Sequence, residues 1–189
     1  MNADLLVYQA KAFYNAYIAL DQLSRDDSDT LRLLFAPLVV NGAFSVELAL
    51  KAILAKNQIE YGKEHNLLIL FQMLPKSFQQ ELWAYLIEKA PEYAGSEKGL
   101  DELILLSNAF VDWRYAFEGK PVPAIESRFL AAFANATIHT MFSYYNADLL
   151  PATKTESNNE IEQRFHENRE KCKEINLKMI QKKTKEHQL

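Results

Sequence analysis

Apolar residues recur along the first 150 positions at steps of three and four, and nowhere do they alternate with polar ones over the length of a strand, so the chain reads as all-α. Leu6, Phe13, Tyr17 and Leu20 form one stripe on a first helix, which ends near the polar run from Ser24 to Asp29. The acidic part of that run could hold a cation, but such turns are commonly solvated, with Ser28 or Asp29 capping the helix that follows. That helix is expected to start in earnest at Pro37, a residue suited to a first helical position, and to run through Val40, Phe44, Glu47, Leu50 and Leu54 to about Lys56. It is apolar on most sides, which marks it as the central helix. Tyr61, Gly62 and Lys63 form a break.

A short helix is expected from His65 and Asn66 to just before Pro75, and another through Phe78, Leu82 and Tyr85, with a loop from Pro91 to Gly99. The next helix should start near Leu100 and stop at Gly119, where Pro121 and Pro123 prevent its continuation. Asp101 and Glu102 then fall in its first turn, where carboxylates favour the positive end of the helix dipole. A last apolar helix covers roughly Ile125 to Leu149, with Phe129, Phe133, Ile138, Phe142 and Tyr145 spread around its circumference, so it should be buried on several sides. Residues 1–150 are thus expected to form one all-helical domain.

Composition changes at Pro151. Residues 151–159 read as a polar linker and residues 160–189 as a charged, amphipathic helical extension. In that tail Ile161, Phe165, Asn168, Cys172, Ile175 and Met179 alternate steps of four and three, the seam of a coiled coil, with Asn168 able to fix register. The tail could pair with its symmetry mate or a protein partner, or pack on its own domain. Together with the apolar girth of the last helix, it makes a homodimer the expected assembly.

The chain has 189 residues, 49% of them hydrophobic and 24% charged, enough for one well-filled domain plus an extension. Residues 151–189 hold 9 Lys/Arg against 7 Asp/Glu, which leaves 12 against 18 in residues 1–150, so the body is net −6 and the tail +2. That balance argues against a broad nucleic-acid-binding surface on the body, though a local basic cleft remains open. A single cysteine, Cys172, excludes an internal disulfide and fits a reducing cytoplasm. No zinc motif, bound metal or cofactor is indicated. No apolar run approaches the roughly 20 residues of a membrane span, and the N-terminus reads as helix rather than signal peptide, so no membrane association is expected.

Chemistry is best sought on two helices. Glu47 lies between Val46 and Leu48 in the least polar segment, where a carboxylate needs a donor; Lys51 is one turn away, and His65 or Arg114 could approach from elsewhere. Phe110, Trp113 and Phe117 share a face of the later helix, with Arg114 and Glu118 beside it at i, i+4. Glu47, Lys51, His65, Trp113, Arg114, Tyr115 and Glu118 are therefore the candidate polar or ligand-binding set, read either as a structural ion network or as the lining of a pocket. His65, at a helix entry, reads first as a capping or packing residue, and His139, in the last apolar helix, as a core or interface histidine. There is no phosphate-cradling Gly-rich loop, nucleophile elbow or helical His pair for a metal.

The segments Phe44 to Leu54 (FSVELALKAIL), Glu64 to Leu67 (EHNL) and Trp113 to Glu118 (WRYAFE) resemble, in order and spacing, the HEPN-like proteins, the name standing for higher eukaryotes and prokaryotes nucleotide-binding. The resemblance covers roughly residues 5–149. It implies an antiparallel bundle of four to five main helices with short extra helices, commonly dimeric, in a superfamily whose active members are metal-independent ribonucleases of toxin–antitoxin, abortive-infection and CRISPR systems. Those members use an Arg followed after four to six residues by a His. Here Arg114 is followed by Tyr115, Ala116, Phe117, Glu118, Gly119, Lys120 and Pro121, so that His is missing, and only Arg114 corresponds to a motif position. The expected function is a non-catalytic interaction or ligand-binding module, in defence or stress response. The alternatives are a ribonuclease with a rearranged site, in which Arg114 stabilises phosphate charge and His65 or Glu118 transfers protons, and a nucleotide-binding regulator.

Overall fold

The stripe of Leu6, Ala10 and Tyr17 closes onto the most apolar segment of the chain, and the other helices are arranged round that contact. The computed structural model describes residues 3–25, 28–94, 97–115, 118 and 122–145. Among these residues seven helices succeed one another without a strand: α1 (Ala3–Ser24), α2 (Ser28–Lys56), α3 (Leu67–Met73), α4 (Lys76–Lys89), α5 (Glu97–Leu106), α6 (Ala109–Arg114) and α7 (Ser127–Tyr145), with a 3-10 turn at Pro91–Tyr93. The all-α bundle expected from the periodicity is what forms. The linker, the tail with its seam and Cys172, Phe117 and residues 146–149 lie outside the described residues.

Helix α2 is the hub, packed by α1, α3, α6 and α7. Val39, Ala43, Val46, Leu50 and Ile53 on it are fully buried. Gly42 allows the closest approach: a Cβ there would lie 3.0 Å from the Tyr17 ring and 3.1 Å from Leu130, so α1, α2 and α7 meet at a point where a side chain would have to displace one of them. The contacts of Phe13 with Phe44 and of Gly42 with Tyr17 show α1 antiparallel to α2. Helix α7 instead runs parallel to α2, from Leu130 beside Gly42 to Tyr145, whose hydroxyl donates to the Ala52 carbonyl at 2.8 Å. Lys56 fixes the far end of this pair by donating to the Tyr144 carbonyl at 2.8 Å, with its ammonium over the Tyr144 and Tyr145 rings.

Two helix boundaries differ from expectation. Helix α2 begins at Ser28 and runs through Pro37 rather than from it. Pro37 has no N–H for the Leu33 carbonyl, but Leu33 is 79% exposed, so water can take that acceptor and the helix continues. The single helix expected from Leu100 to Gly119 is two, α5 and α6, broken at Ser107 and Asn108. The Ser107 carbonyl leaves the helical ladder to accept the Leu67 N–H at 2.8 Å, meeting one of the donors that the first turn of α3 cannot satisfy for itself. Helix α5 also starts at Glu97 rather than near Leu100, which puts Asp101 and Glu102 in its interior and makes Glu97 its first-turn acid.

Arg32–Lys56 is long and apolar enough, at mean hydropathy 1.8, to cross a bilayer by length and composition, although polar residues interrupt it. Here 56% of its most apolar window is buried among neighbouring helices, and Glu47 and Lys51 lie in its middle. His139 is not a core residue. It is exposed on α7 and stacks on Tyr85 of α4 at 3.9 Å between ring centres.

Candidate functional site

Three ionisable side chains converge where α2 passes the entry to α3. Glu47 is 1% exposed, and one of its oxygens, Oε1, accepts from Lys51 Nζ and meets His65 Nδ1, each at 2.8 Å. The Lys51 contact is local, set by one helical turn on the same face of α2. The His65 contact is tertiary and depends on the loop from Asn57 to Asn66. Lys51 is also nearly buried, with its ammonium 5.4 Å from the centre of the Tyr61 ring. The second carboxylate oxygen, Oε2, is buried without a hydrogen-bond partner, a cost of roughly 1–3 kcal/mol for a polar atom removed from water. Because a carboxylate oxygen can only accept, Nδ1 of His65 bears the hydrogen, and Nε2 is left on the outer side of a ring that is 52% exposed.

The loop that delivers His65 is pinned by its neighbours. Glu64 Oε1 accepts the backbone N–H groups of His65 at 2.8 Å and Asn66 at 2.7 Å, and these bonds, the Asn66 one foremost, hold the Glu64 carboxyl below the usual carboxylate range. Asn66 caps α3, its Oδ1 accepting from the Ile69 N–H at 3.1 Å, while its Nδ2 donates to Asn108 Oδ1 at 3.1 Å. Glu64 and Asn66 were not among the candidate residues. An Asn immediately before an apolar run is a helix-start signal that could have singled out Asn66, whereas nothing local marks the role of Tyr61.

Arg114 is elsewhere. It ends α6, exposed, with its guanidinium 4.9 Å from the centre of the Phe110 ring and 4.7 Å from that of Tyr115, and Nη2 donates to the Tyr115 hydroxyl at 3.0 Å. It makes no ion pair with Glu47, so the structure joins Glu47, Lys51 and His65 but leaves Arg114 outside their network. Glu118 lies beyond the end of α6 and is exposed, so it does not share a helix with Arg114 as the sequence pattern implied. Trp113 packs edge-on to Phe35 at 5.1 Å, with its indole N–H buried and unpartnered.

The two places nevertheless lie along one face of α2. Phe44 stacks on Phe110 at 4.3 Å, and Glu47 and Lys51 follow on the same side of the helix at i+3 and i+7. From Asn108, held to the His65 loop through Asn66, to Arg114 is six helical residues, about 9 Å along the axis of α6. Among the described residues no three His, Cys, Asp or Glu side chains are grouped so as to hold a metal ion.

Fold and site define an all-helical bundle whose central helix carries a buried charge centre topped by a half-exposed histidine. Residues 37–121, a stretch that contains every residue of the site, match the family model of the HEPN domain. No curated protein and no solved structure gives a match to the chain.

Proposed function

We propose that the chain is a cytoplasmic HEPN module that binds a phosphate-bearing ligand, a nucleotide or a segment of RNA, without cleaving it, in a defence or stress response. The observation that carries this reading is the exposed Arg114 guanidinium held against two aromatic rings on the face of α2 that leads to His65. A cation beside exposed aromatic surface can meet a phosphate while a base stacks beside it. Lys51 contributes less, because its charge is spent within the core on Glu47. The absence of a His four to six residues after Arg114 supports binding over cleavage.

A second reading has its own observation. His65 is oriented by a buried carboxylate through Nδ1, the arrangement that prepares Nε2 to transfer a proton, which would suit a ribonuclease with a rearranged site. One experiment separates the two. A fluorescently labelled RNA oligonucleotide and a labelled nucleoside triphosphate are titrated with the full chain in chelator, and the RNA is then run on a denaturing gel. Binding weakened at least tenfold by Arg114→Ala, about 1.4 kcal/mol, with intact RNA, is the expected result. Cleavage abolished by His65→Ala replaces the first reading with the second, and no binding of either probe removes both.

A further inference from the structure

Phe71, Trp83, Ala84, Ile87 and Leu100 line a groove of about 630 Å³, apart from both the Glu47 centre and Arg114 and within the roughly 300–1,000 Å³ of small-molecule sites. Helix α4 supplies its long wall, since positions 76, 80, 83, 84 and 87 recur at helical spacing on one face. The rings of Phe71 and Trp83, 5.9 Å apart between centres, give it an aromatic surface. Gly99 lets α5 close against that surface, because a Cβ there would lie 2.9 Å from Cζ2 of Trp83.

The groove has one cationic end. Lys76, the first residue of α4, is exposed and donates to Gln79 Oε1 at 3.2 Å, and among the described residues it meets no carboxylate. Its ammonium can therefore hold an anion, at the positive end of the α4 dipole. Gln80 follows one turn later on the same face, so its side-chain amide can donate to the same group. Gln79 cannot, because its amide already donates to the Gln72 and Leu74 carbonyls at 3.0 and 2.8 Å. One cation and one neutral amide match a monoanion, whereas a dianionic phosphate would keep a charge uncompensated. Beside Leu100 stand Glu97 and Asp101, which repel an anion and direct its head to Lys76. From position 76 to position 87 is about 16 Å along α4, a length that suits a long chain rather than a short acid. From this arrangement we propose that the α4–α5 groove binds a long-chain carboxylate, its head on Lys76 and Gln80 and its apolar chain along Trp83, Ala84 and Ile87, independently of the ligand reading above.

Isothermal titration of the full chain with dodecanoate, kept below its micelle concentration, tests this. The expected result is one molecule bound per chain with a Kd on the order of 10–100 µM. Ala84→Trp, which fills the groove, weakens binding at least tenfold, and Lys76→Gln weakens it about threefold, the scale of one exposed ion pair. Leu33→Asp on α2 removes an apolar side chain that is 79% exposed outside the groove, and leaves binding unchanged. Acetate has the head without the chain, and dodecyltrimethylammonium the chain without the negative head; each binds at least tenfold more weakly than dodecanoate. All three substituted positions are exposed, and circular dichroism verifies that each variant is folded. Should Ala84→Trp unfold, Lys76→Gln and the cationic analogue decide. No binding of dodecanoate up to about 1 mM overturns the proposal and leaves the groove to a protein partner. So does binding that the cationic analogue equals or that neither groove variant weakens, which marks adsorption of the chain to apolar surface at large.

Discussion

The charge centre on α2 and the Arg114 corner on α6 start from one sequence pattern, a cation and a carboxylate one helical turn apart beside large aromatic residues, and end as different structures. On α2 the pair lies within a 29-residue helix covered by four others, so Glu47 has lost its water and is held by both Lys51 and His65. On α6 the helix lasts six residues and stops at Arg114, so Glu118 lies beyond its end and the guanidinium rests on the exposed Tyr115 ring and the part-buried Phe110 ring. Spacing offers a pair. Burial decides whether that pair becomes a network on which the fold depends or a surface that a ligand can reach.

The largest test of this contrast is a pair of truncations measured by urea unfolding. Glu47→Ala is expected to cost about 3 kcal/mol, because it leaves the Lys51 ammonium nearly buried without its carboxylate, whereas Arg114→Ala should stay within about 0.5 kcal/mol, the range of surface substitutions. Equal costs would break the contrast. Replacing both buried partners, as Glu47→Leu with Lys51→Met, should recover most of the loss and bring stability to within about 1 kcal/mol of the parent, since the penalty lies in the stranded charge rather than in the missing pair. If the double variant is as unstable as the single one, Glu47 supports the fold through something other than Lys51.

Asn66 links the two regions, capping α3 with one end of its amide and holding Asn108 with the other. Asn66→Ala should cost about 1 kcal/mol, the usual worth of an N-cap. Amide exchange should quicken at both the start of α3 and the start of α6; a change confined to α3 would show that the Asn66–Asn108 bond does not couple them.

The smallest expected effect is pH-dependent. Glu64 is held below the ordinary carboxylate range by the Asn66 and His65 N–H groups, so its contribution is present above its unfolded pKa, about 4, and is lost as pH falls through the lower folded value. Glu64 is only partly buried, and solvent screening keeps that contribution smaller than that of Asn66. The stability difference between the parent and Glu64→Gln should therefore favour the parent at neutral pH and shrink on acidification. A difference that stays constant down to pH 3 would show that the carboxylate charge plays no part in pinning the loop.

The residues of the buried centre were legible because an acid in a nearly uninterrupted apolar helix demands a partner, and Lys51 stands where a helix would supply one. His65 could only be offered alongside Arg114, since no rule of spacing says which of two distant side chains a loop will deliver. The break at Ser107 and Asn108 was hidden for a related reason: periodicity carries on through it, and only the need of the Leu67 N–H for an acceptor explains why the ladder opens there.

By itself the sequence determined that the chain is helical, that α2 lies at the centre and that Glu47 is paired, because these follow from local periodicity and from the cost of burying an unpartnered charge. The tertiary structure alone decided that His65 and not Arg114 completes the Glu47 network and that α5 and α6 are separate. Each depends on which helix surfaces are covered by others, and that is fixed only when the whole bundle closes.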